Sequence, residues 1–144
     1  MFRVTRRYRF AASHRLHAPQ LDEEWNRRIY GKCNNPFGHG HNYEVLVTAV
    51  GPLDPATGYA VDRAALDRLV AGRVLDAFDH RNLNTEVPQF ADTVPTSENL
   101  AVEICRRLKR GWSEAFPGEW PQLDKIRIAE TERNIFEIRA DEVE

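Results

Sequence analysis

Apolar and polar residues alternate over the first stretch of the chain, Phe2-Arg3-Val4-Thr5-Arg6-Arg7-Tyr8-Arg9-Phe10. Phe2, Val4, Tyr8 and Phe10 share one parity and Arg3, Thr5, Arg7 and Arg9 the other. That pattern predicts a half-buried strand, interrupted only at Arg6. If the backbone stays extended, Ala12 and His14 keep the apolar parity. Residues 18–32 carry mixed charge with one Pro and one Gly, and read as a loop or a short irregular helix. A second strand, rich in Val and Tyr, is expected from His39 to Val50. The run Gly51-Pro52-Leu53-Asp54-Pro55-Ala56-Thr57-Gly58 is turn chemistry, after which Tyr59 to Val61 read as a further short strand. Asp62 then caps a helix whose stripe is Leu66, Leu69, Val70, Val74, Ala77 and Phe78. Residues 81–95 contain Asn82, Asn84, Pro88 and Pro95 and read as a loop. Thr96 or Ser97 caps a second helix, with Leu100, Ala101, Ile104, Leu108 and Trp112 on one side. Gly111, Pro117, Gly118 and Pro121 are expected to end it. Two last strands, Leu123 to Glu130 and Ile135 to Ala140, are joined by Glu132-Arg133-Asn134.

The order ββ-αα-ββ with hairpin-length connections predicts an α+β fold: an antiparallel four-stranded sheet with two helices packed on one face. Its strand edges need covering, which suggests oligomerisation. No repeat or internal linker divides the 144 residues, so 1–144 read as one domain. A chain this long buries roughly 70% of its unfolded surface. Apolar content of 42% and charged content of 29% are ordinary for a globular protein. The net charge of −2 argues against a general nucleic-acid surface, though not against a local basic pocket. The longest strongly apolar run, Tyr43 to Val50, is too short to span a membrane. Met1 to Arg7 carries no apolar signal segment. Cys33 and Cys105 make no disulfide framework, so a cytoplasmic, reducing compartment is expected.

The chemistry concentrates in Cys33-Asn34-Asn35-Pro36-Phe37-Gly38-His39-Gly40-His41-Asn42-Tyr43. In a strand, His39 and His41 point to one face, and Gly40 is expected to let the backbone approach closely. With His14 they offer three imidazoles, the ligand set of an open zinc site. The alternative is a set of ordinary histidines, each satisfied by a hydrogen bond, and His17 is a further candidate ligand. Cys33 has three readings: a fourth ligand closing a structural site, a nucleophile or base beside an open one, or a small buried hydrophobe. Cys105 lies beside a helical core stripe and reads as inert. Asp79-His80 follows a helix end, where an imidazolium also suits the dipole. Glu130 shares parity with Ile126 and Ile128, which puts a carboxylate on the apolar face and requires a partner there. That partner is either an arginine or a planar array of N–H donors on a ligand.

Several segments, taken together and in order, resemble the 6-pyruvoyltetrahydropterin synthase family. They are Phe10-Ala11-Ala12-Ser13-His14-Arg15-Leu16, Gly31-Lys32-Cys33-Asn34-Asn35-Pro36, Gly38 to Tyr43, Asp54-Pro55-Ala56-Thr57-Gly58, Asp79-His80-Arg81-Asn82-Leu83, Thr96-Ser97-Glu98-Asn99 and Glu130-Thr131. The resemblance implies the tunnelling fold and a homohexamer of two stacked trimers, with active sites at subunit interfaces. It implies zinc on His14, His39 and His41, and Cys33 as the catalytic thiol. Asp79 and His80 would come from a neighbouring subunit and complete a proton relay. Glu130 would anchor the pterin's 2-amino and ring N–H groups, helped by Thr96 and Ser97. Ser97 stands where a second Thr is usual, and Phe37 where a polar residue is common.

The implied reaction converts 7,8-dihydroneopterin triphosphate to 6-pyruvoyltetrahydropterin and releases triphosphate. The redox change is internal, so no nicotinamide is required, and no dinucleotide fingerprint is visible. Arg15, Lys32 and Arg27 or Arg28 are candidates for holding the triphosphate, against a reading as solvated surface charge. The nearest rival, also by resemblance, is 6-carboxytetrahydropterin synthase of queuosine biosynthesis, which shares fold, metal and substrate and also releases acetaldehyde. That type usually places three residues between its cysteine and the His-Gly-His. Here there are five, Asn34 to Gly38, as in the pyruvoyl type. A zinc-stabilised binding module without catalysis, and a pterin or purine binder on the same fold, are further alternatives.

Overall fold

The computed structural model describes all residues, 1–144. Two long strands, β1 (Phe2–His14) and β2 (His39–Gly51), pair antiparallel along their whole length, from Phe2 opposite Gly51 to His14 opposite His39. Between them lie α1 (Glu23–Tyr30) and a 3-10 turn, Gly31–Asn34. After β2 come α2 (Arg63–Val70), a π-helical turn (Ala71–Leu75), α3 (Asp76–Phe78), the short β3 (Arg81–Asn82) and α4 (Leu83–Glu86). The long α5 (Ser97–Ala115) leads to β4 (Gln122–Ala129) and β5 (Ile135–Arg139).

The sheet has five strands rather than the expected four, in the order β3-β1-β2-β4-β5. The extra strand is Arg81–Asn82, which pairs parallel with Ala12 and Ser13. Two residues are too few to show a period, which is why the alternation did not reveal it. The stretch expected as a strand at Tyr59 to Val61 forms none. Instead the loop closes on itself, with Asp54 N–H donating to Tyr59 O and Gly58 N–H to Asp54 O. The second helix also passes through Gly111, where an added Cβ would lie 2.8 Å from Leu69 Cδ1. The glycine is a contact point between α5 and α2 rather than a terminator.

The core lies between the inward sheet face and the helices. Phe10, Tyr43, Val45, Val47, Ile126 and Ile128 meet Leu66, Val70, Val74, Phe78, Leu100, Ile104 and Leu108. Arg6, the one break in the β1 alternation, is neutralised on that same parity. Its guanidinium donates twice to Asp67 of α2, at 2.7 and 3.1 Å, and the Tyr8 hydroxyl donates to the same carboxylate at 2.6 Å. The outward sheet face is charged and polar, with Arg7 and Arg9 both on Glu44 and Thr5 bonded to Thr48. No helix is long and apolar enough to cross a membrane.

Candidate metal and substrate site

The ends of β1 and β2 build the site. In the observed register His14 faces His39, and Ala12 faces His41. All three histidines share the inward parity, with Tyr43 two residues further on. Gly38, at φ +84°, makes the turn into β2, and an added Cβ there would press on His14 O at 3.3 Å. An added Cβ at Gly40 would meet nothing within 4 Å. Close backbone approach therefore belongs to Gly38, not to Gly40 as the sequence suggested.

Four side chains converge. One ligand atom each from His14, Cys33, His41 and Glu130 all lie within 4.8 Å of one another. His41 Nε2 stands 3.0 Å from His14 Nε2, 3.1 Å from Glu130 Oε1 and 3.8 Å from Cys33 Sγ. His39 stacks edge-on against His41, with ring centroids 4.7 Å apart, but is exposed and its nitrogens lie outside the four-atom group. His17 is also outside the group, with Nδ1 against the Asn34 amide at 3.1 Å.

The donor chemistry fits a divalent ion. His14 is fully buried, and its Nδ1–H donates to the Pro95 carbonyl at 2.9 Å, which fixes the tautomer and leaves the Nε2 lone pair free. The Tyr43 hydroxyl is 3.2 Å from the same Nδ1. Burial, with His41 adding to it, holds His14 below the ordinary imidazole range despite the Pro95 bond. Burial likewise lowers His41, against the opposing carboxylate of Glu130. Both rings are thereby biased to the neutral form that metals bind. Two imidazole nitrogens 3.0 Å apart resemble donors sharing a tetrahedral ion with bonds of about 2.0–2.1 Å. Burial and then Glu130 push the Cys33 thiol up; a bound cation acts in the opposite direction.

Glu130 finds the partner its parity required. Ser97 Oγ donates to Glu130 Oε2 at 2.5 Å, while Oε1 faces His41. Thr96 is the N-cap of α5, its hydroxyl oxygen accepting from Asn99 N–H. Asp79 and His80 are not in the cluster. They sit beside β1, where Asp79 Oδ1 accepts from Ala11 N–H at 3.0 Å and His80 N–H donates to Ala11 O at 2.6 Å. The His80 side chain is 83% exposed on a backbone with φ +58°, and its Nε2 is 3.8 Å from Asp79 Oδ2. Two supporting groups escaped the sequence reading, Tyr43 and the Pro95 carbonyl. Tyr43 carried a signal in its shared parity with His39 and His41; a main-chain carbonyl from a distant loop carries none.

A sequence model of the family described as 6-pyruvoyl tetrahydropterin synthase matches residues 3–141. The chain is 44% identical over 138 residues to 6-pyruvoyl tetrahydrobiopterin synthase of Poecilia reticulata, covering 96% of this chain and 90% of that one. It is 44% identical over 132 residues to the protein of the same name from Homo sapiens, covering 92% and 87%. Among solved structures, Caenorhabditis elegans 6-pyruvoyl tetrahydropterin synthase matches with a TM-score of 0.87 at 40% identity, covering 96% of this chain and 94% of that one.

Proposed function

The chain belongs to the 6-pyruvoyl tetrahydropterin synthase family, and from that premise we propose that it converts 7,8-dihydroneopterin triphosphate to 6-pyruvoyltetrahydropterin, releasing triphosphate in a zinc-dependent reaction. It is an enzyme, a lyase of this type acting on a small-molecule pterin, and its α+β architecture is the tunnelling fold of its structural match. The observation that carries the finer reading is the position of Cys33. Its sulfur lies 3.8 Å from His41 Nε2, in the same cluster of ligand atoms as His14 and Glu130.

His14, His39 and His41 are the residues we assign to zinc. The ion supplies Lewis-acid polarisation of the substrate's side-chain hydroxyls. Cys33, as thiolate, takes the carbon-bound proton next to the pterin ring. Glu130 accepts the pterin's N–H groups, and Ser97 fixes the carboxylate plane in which they must lie. Thr96, whose hydroxyl accepts from Asn99 N–H as the cap of α5, is assigned to assist in holding the pterin. Asp79 orients a protonated His80, which returns protons to the side chain as the carbon–oxygen bond to triphosphate breaks with its electron pair on the oxygen. Asp79 and His80 stand apart from their own chain's cluster, which accords with a homohexameric dimer of trimers in which they complete a neighbour's site. Two unpaired cysteines suit a cytoplasmic location.

The deciding experiment is turnover of 7,8-dihydroneopterin triphosphate by the purified protein with identification of the products. Pyruvoyltetrahydropterin and triphosphate without acetaldehyde are expected. Acetaldehyde would replace this reading with the carboxy-type reaction. No turnover by metal-loaded protein would leave a pterin- or zinc-binding module.

A further inference from the structure

His39 also lines a cleft of about 440 Å³ formed by the end of β1, α1 and the 3-10 turn. Its lining is polar apart from Gly31 and Pro36. Three cations line it, Arg15, Arg27 and Lys32, with His17 and Asn34 between them and Glu23 as the single carboxylate. None of the three cations lies within 4 Å of a carboxylate oxygen, whereas Arg28, one residue along α1, reaches Glu24 at 3.4 Å. Three cations against one carboxylate, none of them ion-paired, leave an excess of positive charge in one concavity, and the field it focuses favours an incoming anion.

The cleft is also held in shape. Both main-chain polar groups of Arg15 are clamped by the Asn84 side chain, at 2.7 and 2.9 Å. Arg15 Nε donates to Asn34 O at 3.2 Å, which leaves the terminal guanidinium nitrogens free. Asn34 is buried, and its amide donates to Leu16 O at 2.8 Å. His39 lines this cleft and also stacks on His41, so the anion pocket and the donor cluster share a wall.

We propose that this cleft seats the polyphosphate end of the substrate, with Arg15 as its fixed fork and Arg27 and Lys32 as flexible cations. The inference rests on the lyase reading for the identity of the ligand and on the cleft alone for its chemistry. A guanidinium matches phosphate oxygens in pairs, and a lysine adds a point charge. Seated there, the leaving group keeps its developing negative charge next to fixed donors as the carbon–oxygen bond breaks.

The test titrates the purified protein and the Arg27→Gln/Lys32→Gln double variant with sodium tripolyphosphate by calorimetry, then assays both with 7,8-dihydroneopterin triphosphate. A second variant, Arg68→Gln/Arg106→Gln, removes the same net charge from exposed positions outside the cleft. We expect the cleft variant to bind tripolyphosphate roughly 10-fold or more weakly and to raise KM for the pterin triphosphate by a similar factor, with the calorimetric affinity for unphosphorylated dihydroneopterin unaffected. The exposed-site variant should match the unmodified protein. Equal weakening in both variants, undiminished binding in the cleft variant, or no tripolyphosphate binding by the unmodified protein would each overturn the assignment. Cleft-dependent binding in a protein that turns over no pterin triphosphate would sink the lyase reading and leave the polyphosphate site standing.

Discussion

Ser97 Oγ donates to Glu130 Oε2 at 2.5 Å, and the other oxygen of that carboxylate faces His41 Nε2 at 3.1 Å. The first residue of α5 thereby sets the plane of a carboxylate at the end of β4, within the group that could hold a metal ion. Ser97→Ala leaves the charge but frees the plane. KM for the pterin should rise about tenfold, with metal content unchanged. Ser97→Thr, which keeps the hydroxyl, should restore KM. An unaltered KM in Ser97→Ala would show that Glu130 needs no such support.

Cys33 separates the catalytic from the structural reading. If its sulfur is the base, Cys33→Ala keeps the bound metal, measured by atomic emission on the dialysed protein, and kcat falls by about 10²–10⁴-fold. Loss of metal together with thermal stability would instead make Cys33 a permanent ligand, alongside His14, His41 and Glu130 in the group that the structure assembles.

The parity of single residues explains how much of this site was legible beforehand. His14 on the Phe10 side of β1 and Glu130 on the Ile126 side of β4 both followed from alternation, because each strand has one buried face. Helix α1 was less legible because its apolar residues Trp25 and Ile29, and Leu21 just ahead of it, stay exposed and mark no core stripe. Its cap, Asp22 accepting from Trp25 N–H, was the readable signal. Arg6 looked like a fault in the β1 pattern because its partner, Asp67, lies 61 residues away. Long-range pairing of this kind leaves no trace in a local period.

Tyr43 supports His14 from behind, its hydroxyl 3.2 Å from Nδ1. Tyr43→Phe removes that contact while keeping the Pro95 carbonyl as acceptor and the ring stacked on Phe10. Metal affinity should fall about tenfold, as read by competition with a chromophoric chelator. An unchanged affinity would assign the orientation of His14 to Pro95 alone.

Asp67 gives the fold a predictable acid response. Its carboxyl is held below the usual range by its hydrogen bond to Arg6, assisted by Tyr8. A carboxylate lowered in the folded state binds fewer protons there than in the unfolded chain. Its contribution is complete above the ordinary carboxylate value and fades as pH falls through the lowered one. Because the pair is partly exposed, with side-chain accessibilities of 40% and 39%, solvent screening limits Asp67→Asn to about 1 kcal/mol at neutral pH. Denaturant midpoints of the two proteins should begin to converge at about pH 4 and meet only once the pH has fallen through the lowered value. A constant gap at every pH would rule out the charge as its cause.

Asp79 and His80 are bonded to Ala11 beside β1 and lie outside their own chain's donor group. If a neighbouring copy supplies them, Cys33→Ala and His80→Ala proteins should each be inactive yet rescue one another when unfolded, mixed and refolded together. A random mixture joins an intact Cys33 to an intact neighbouring His80 in about one quarter of sites, so activity should approach that fraction of the unmodified enzyme's. Size-exclusion chromatography with light scattering, run alongside, should show the same oligomer for both variants and the mixture. Mixed oligomers with no activity above either parent would mean that the relay works within a single chain or does not involve His80.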